Sequence, residues 1–226
     1  MFSASTWLMV WTRGQPAAAG PQTEGTAPYL ICRHCPHPAS HEPRLPRRAM
    51  SDTLYVVWNA VAGARRAAHM LEAYVMPRIR AWKEDKAPSV RVVVHETEAD
   101  AGAVRLGRAI AAHGRACTCV VLGGDGTVHE LLEGLFSDAQ PRTISIVLVP
   151  MGTGNALYHT LMGPDTAPDP AWRLGSLEAF TKAQATKPLT LMQADPGHRL
   201  ACVVVSHALH AAILRDSEAV SYTHLR

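Results

Sequence analysis

Apolar and polar positions fall into a regular order only from residue 54 onward. LYVVW (54–58), VRVVV (90–94), CTCVVL (117–122) and ISIVLV (144–149) are short runs rich in β-branched residues. Near-continuous apolar runs of this length mark strands buried on both faces. Between them, apolar residues recur at helical spacing near 64–82, 99–113 and 127–136. Strands alternating with helices predict an α/β fold: a parallel sheet with helices on both faces. Cys117 and Cys119 alternate within the third run and read as small core residues.

The flanks do not share this order. Residues 12–50 are rich in Pro, Ala, His and Arg and follow neither period, so residues 1–50 are expected to form a disordered leader. TWLMVW near its start is too short for a membrane span and lacks the marks of a secretory signal. CRHCPHPASH (32–41) contains metal-ligating residue types, but no strand or helix signal flanks it, and a solvated tail is expected there. Met50 directly precedes the first regular strand and is a candidate start of translation.

Downstream, VPMGTGN should be followed by a helix, then a Pro-rich stretch (163–170) and a further helical pattern near 171–184. PLTLMQAD and RLACVVVSHAL, joined by PGH, predict an antiparallel hairpin. The α/β domain is therefore expected over residues 51–186, with a β-rich domain beginning at 187. A lone hairpin is not stable in water, so that second domain, 187–226, is expected to be incomplete. The closing SYTHLR continues no period.

Of the 226 residues, 47% are hydrophobic and 18% charged, enough apolar material for a globular core. The formal charge of +3 is mild, and no basic stripe interleaved with aromatics occurs, which argues against nucleic-acid binding. Five cysteines without regular spacing fit a reducing compartment, so a cytoplasmic location is expected. No apolar run approaches the roughly 18 residues of a transmembrane segment.

The chemistry concentrates at VVLGGDGTVHELLEGL (120–135). Gly123, Gly124 and Gly126 remove the Cβ atoms that would keep a large anion from the backbone. Thr127 opens the following helix, whose first N–H groups point outward; together they suit a phosphate. A phosphate nest has no use for a carboxylate, so Asp125 needs its own role. It reads either as a general base toward a hydroxyl, as an organiser of a nucleotide's metal, or as support for a tight turn. One strand later, VPMGTGNALYHT repeats the design with Gly152, Thr153, Gly154 and Asn155. Neither loop matches a P-loop or the G-x-G-x-x-G dinucleotide fingerprint.

GGDGTVHELLEGL followed by PMGTGNAL resembles the catalytic domain of the diacylglycerol kinase superfamily, and within it the sphingoid-base kinases. The resemblance covers roughly residues 53–219. It implies a phosphofructokinase-like parallel sheet followed by a β-sandwich, with ATP and Mg²⁺ between them and a lipid hydroxyl as acceptor. It implies Asp125 as catalytic base. Gly123, Gly124, Gly126 and Thr127 form the first nucleotide loop, and Gly152, Thr153, Gly154 and Asn155 the second. Glu130 is implied as an acidic nucleotide contact, or else is a solvated helix residue. WNAVAG resembles the family's Asn-Pro-x-x-Gly and places Asn59 at the nucleotide, with Ala60 in place of the proline. Thr97 is implied near the phosphates, or else caps the helix expected from 99. Asp216 is implied at an amino-alcohol head group, or else belongs with Glu218 to a charged face.

Ala156 follows GTGN as in the sphingoid branch, where the glycerolipid branch tends to carry an acidic residue. The lipid implied is therefore a sphingoid base or a related long-chain lipid, with ceramide or diacylglycerol as alternatives. A nucleotide-binding module without turnover is the reading from another class. The family's phosphate-binding arginines lie in the second domain, so residues 1–226 alone are expected to turn over little. Contact with a membrane surface would be peripheral.

Overall fold

The computed structural model describes residues 7–11, 52–114, 116–138, 143–163, 167–184, 186–189, 191–194 and 199–202. Six strands form the main sheet: β1 (Trp7–Trp11), β2 (Thr53–Trp58), β3 (Arg91–Glu96), β4 (Ala116–Gly123), β5 (Thr143–Pro150) and β6 (Thr186–Pro188). Their spatial order is β3-β2-β4-β5-β1-β6. The first five run parallel, and β6 pairs antiparallel with β1.

The α/β architecture expected from the alternation is present, and burial explains why the strand runs are so apolar. Val56, Val120, Val147 and Val149 are fully buried on one face of the sheet, while Cys119, Ile144 and Ile146 are fully buried on the other. One face is covered by the long helix α1, which runs over 67–86 as Ala67–Met70, a π-helical stretch Leu71–Val75, and Met76–Lys86. The other face is covered by α2 (Gly102–His113) and α3 (Asp125–Leu135). These two helices cross at Gly107 and Gly134, where a Cβ on Gly134 would lie 2.1 Å from the Val104 carbonyl oxygen. Two short helices complete the α/β part: α4 (Ala156–Met162) and α5 (Gly175–Thr181), the latter after a 3-10 turn at Ala171–Leu174. Trp82 of α1 packs on Phe180 of α5 with ring centroids 4.7 Å apart.

Three expectations need correction. Residues 1–50 are not wholly outside the fold, because Trp7–Trp11 is a strand of the main sheet, with Leu8 opposite Ile144. Five apolar residues far along the chain from their partners have no neighbouring period to announce them. The first helix begins at Ala67, not at 64, because Gly63, Ala64 and Arg65 have φ of 62°, 54° and 65°, a left-handed turn. The boundary expected at 187 falls inside β6, which belongs to the main sheet.

The predicted hairpin forms from β7 (Met192–Ala194) and β8 (Arg199–Ala201), antiparallel with Met192 opposite Ala201. Leu200 of β8 is buried in the cluster on the α2/α3 face, so the hairpin is seated on the α/β part. The CRHCPHPASH segment, Asp216, Glu218 and SYTHLR lie outside the described residues.

Candidate active site

Register decides what meets at the carboxyl edge of the sheet. Trp58 pairs with Leu122, and Gly123 with Pro150, so β2, β4 and β5 end side by side. The ladder continues one step past the strands: Asn59 N donates to the Leu122 carbonyl (3.0 Å) and Met151 N to the Gly123 carbonyl (2.9 Å). Both glycine loops thus leave the sheet in contact. A Cβ on Gly152 would lie 2.7 Å from Gly124 Cα, and one on Gly124 would lie 3.2 Å from Gly152 Cα.

The five loop glycines serve two purposes. Gly123, Gly124 and Gly152 are required by the protein itself, since a Cβ on Gly123 would strike the Thr127 side chain at 2.7 Å. Gly126 and Gly154 are not: nothing lies within 4 Å of a Cβ at either. Nor does either adopt positive φ, so their lack of a side chain leaves room for something outside the protein.

Asp125 joins the loops. Its Oδ2 accepts the Ala156 N–H at 2.8 Å and its Oδ1 accepts the Leu157 N–H at 3.0 Å. These are the first two residues of α4, whose unpaired N–H groups need an acceptor. The adjacent Asn155 does not supply one. It sits at φ 49° with its side chain turned back, Oδ1 accepting from Gly152 N (2.8 Å) and Nδ2 donating to Gly152 O (2.7 Å). Asn155 is buried, so a ligand would reach its backbone rather than its amide. Asp125 is half-buried, and each carboxylate oxygen keeps a further acceptor site.

The remaining predicted residues gather around the first loop to different degrees. Asn59 Nδ2 donates to Thr127 Oγ1 at 3.2 Å, tying the end of β2 to the start of α3. Asn59 Oδ1 accepts from Val61 N at 3.1 Å, a side-chain turn that fixes the loop where proline is absent. Thr97 follows β3 and donates its N–H to the Trp58 carbonyl at 2.8 Å, which places it beside Asn59. It does not cap α2, whose cap position is Ala101. Glu130 lies half-buried on α3 and forms no ion pair among the described residues. Thr153 and Gly154 are exposed.

Other residues at this edge were not foreseen. A groove of about 760 Å³ is lined by the left-handed turn, by Gly152 and Thr153, and by Arg66, Asp169 and Arg173. Arg173 pairs with Asp169 (2.8 Å) and donates to the Pro150 carbonyl (2.7 Å), fastening the turn before α5 to the end of β5. The Arg173 guanidinium holds the Asp169 carboxyl below its ordinary range. Cys202, just past β8, has its thiol pushed up to about 11, first by burial and then by the Asp125 carboxylate. β8 packs against α3, the helix that Asp125 opens. Proximity of this kind arises from tertiary packing, and no local pattern in the chain signals it.

Two glycine loops and a carboxylate thus meet at the carboxyl edge of a parallel sheet, the edge at which open α/β sheets bind ligands. The model of the diacylglycerol kinase catalytic domain family matches residues 53–190, more than half of the chain, and the chain belongs to that family. Three solved structures of a Bacillus anthracis str. Sterne protein assigned as a diacylglycerol kinase match at 23% identity and a TM-score of 0.48. The matches cover 66% of this chain and 47%, 45% and 47% of theirs, so the chain spans somewhat under half their length. No curated protein matches the chain.

Proposed function

We propose that this chain carries the nucleotide-binding part of a lipid kinase that transfers the γ-phosphate of ATP to a lipid hydroxyl. The observation that supports it is the contact of Gly124 with Gly152, with open space left at Gly126 and Gly154. Backbone N–H groups without side chains in front of them receive phosphate oxygens, at the first loop through the start of α3. Asn59 at the end of β2 and Thr97 after β3 are proposed as contacts for the remainder of the nucleotide, with Glu130 of α3 as a further acidic contact. Asp125 accepts the proton of the attacking hydroxyl on a lone pair left over from its two backbone bonds.

Mg²⁺ is implied by this chemistry. No group of three metal-ligating side chains occurs among the described residues. A magnesium ion that arrives on phosphates needs only one or two carboxylates, and Asp125 is the carboxylate at the loops, so the donor set fits. When bound, the ion would neutralise phosphate charge.

The acceptor is proposed to be a sphingoid base or a related long-chain lipid, on the strength of Ala156 after GTGN and of Asp216 as partner of a cationic amine. Diacylglycerol is the second reading, favoured by the family to which the chain belongs. No helix among the described residues is long and apolar enough to cross a membrane. Contact with the lipid surface is proposed to be peripheral, on the cytoplasmic side. Incubation of a longer protein that carries this chain and a complete second domain with labelled ATP, Mg²⁺ and sphingoid base, ceramide or diacylglycerol tests the assignment. Label on the sphingoid base supports it, label on diacylglycerol alone selects the second reading, and nucleotide binding without any labelled lipid leaves a binding module.

A further inference from the structure

Gly152 and Gly154 give the second glycine loop, residues 151–155, wide backbone freedom. Yet the loop must keep one place, because a Cβ on Gly152 would lie 2.7 Å from Gly124 Cα and the two loops touch without slack. What fixes that place is how the loop's ends are held. Asp125 holds the exit from one side, through the Ala156 and Leu157 N–H groups. The 3-10 turn at Ala171–Leu174 reaches both ends. At the entry, Arg173 Nη1 donates to the Pro150 carbonyl at 2.7 Å. At the exit, the Tyr158 hydroxyl donates to the Trp172 carbonyl, and the two rings meet edge to face with centroids 5.7 Å apart. His159 stacks on the same indole at 5.4 Å, with the ring planes 22° apart.

The turn has a firm footing. Leu174 is buried in the cluster on the α1 face, while Trp172 packs on the cluster of the opposite face, so the turn straddles the sheet at the end of β5. Arg173 is aligned by Asp169, which lies 2.8 Å from Nε and 3.4 Å from Nη2, and its guanidinium carbon lies 4.3 Å from the Trp172 ring centroid. Its side chain is only 14% exposed, and charge-assisted bonds gain strength where water is partly excluded.

We propose that Tyr158, Trp172 and Arg173 are positioning residues: they form a clasp that spans the second glycine loop and holds it against the first. They act through the loop's backbone. That the loop so held receives nucleotide phosphates rests on the kinase reading above.

Hydrogen exchange of the 226-residue chain, read together with Mg·ATP titration and melting, tests this. The N–H groups of Met151, Gly152, Ala156 and Leu157 are bonded to the Gly123 carbonyl, Asn155 Oδ1 and the two Asp125 oxygens, so their exchange reports how well the loop is held. Tyr158→Phe keeps the ring and removes a tie at the exit, and Arg173→Met removes the tie at the entry. Each should speed exchange of those four amides by roughly 3- to 10-fold, the effect of one net hydrogen bond, with the β2 and β4 amides unchanged. Mg·ATP affinity should fall by about the same factor. Trp172→Ala should do both, and Trp172→Phe, which keeps an aromatic face for His159 and Arg173, should restore most of the loss. Gly134→Ala is the control: it should lower the melting temperature without a selective change at the loop. Exchange in the clasp variants that rises evenly over the sheet, or does not rise at all, would overturn the clasp. Fast loop exchange with Mg·ATP affinity intact would overturn its positioning role. If the unaltered chain binds no Mg·ATP, the kinase reading fails, and selective exchange at the loop still decides the clasp.

Discussion

Asp125→Asn separates the functions that meet at this residue. The carboxylate accepts one backbone N–H on each oxygen, from Ala156 and Leu157. The amide keeps one acceptor and turns an NH₂ group toward the other N–H, so one bond is lost and two donors face each other. Loss of a helix cap costs about 0.5–2 kcal/mol, and Asp125 is only half-buried, so water can take over part of the task. We expect about 1 kcal/mol, or roughly 2–4 °C in melting temperature for a chain of this size. Because α4 and the second loop are held by the same bonds, nucleotide affinity should fall several-fold alongside stability. Turnover of a longer protein that carries this chain and a complete second domain, measured with labelled ATP and lipid, should fall by on the order of 10²–10⁴ if Asp125 is the proposed base. Asp125→Ala should melt at least as low, since it keeps no acceptor. An unchanged melting temperature in both variants would refute the capping role, and retained turnover in Asp125→Asn would refute the base.

Other outcomes follow from single distances. Gly152→Ala puts a Cβ at 2.7 Å from Gly124 Cα, so backbone must move; calorimetry should show a loss of about 1–3 kcal/mol, and ATP affinity should drop with it. Gly134→Ala collides with the Val104 carbonyl at 2.1 Å and should destabilise the α2–α3 crossing by at least as much, yet the folded fraction should bind ATP normally. The Cys202 thiol, with its pKa raised from 9.0 to about 11, stays protonated across neutral pH. Its alkylation in the folded protein should be slow at pH 8 and accelerate only as pH approaches 11, whereas in denaturant it should react as an ordinary thiol. Folding favours the protonated thiol, so this contribution to stability is full below the unfolded pKa and is lost as pH rises through the folded one.

What could be read in the sequence was what local patterns encode. The runs at β2, β4 and β5 are apolar because both faces of the sheet are covered there, and that leaves a mark in a window of six residues, whereas β3 lies at the edge of the sheet with Val94 exposed. The glycine loops were legible because glycine is rare where it is not needed. Their contact follows from register, which alternation with helices made foreseeable. The capping of α4 by Asp125 was not legible: the partners are 31 and 32 residues apart, and the helix does carry an Asn at its own cap position. That Asn155 instead closes a ring on Gly152 depends on its left-handed backbone. The turn at Ala64 and Arg65 hid for a related reason, since these residues favour helix yet take left-handed angles here. Gly107 and Gly134 looked like weak points within helical patterns, and their use as a helix crossing appears only when the two helices meet.

The most direct measurement concerns the two glycines the protein itself does not need. Gly126→Ala and Gly154→Ala place a methyl group where nothing lies within 4 Å, at backbone angles an alanine accepts. If these positions face phosphate oxygens, titration with Mg·ATP should show affinity falling about tenfold or more in each variant. Melting temperature should hold or rise, because alanine in place of glycine restricts the unfolded chain by about 0.4–1 kcal/mol. Unchanged ATP affinity in both variants would contradict the placement of the nucleotide between the loops.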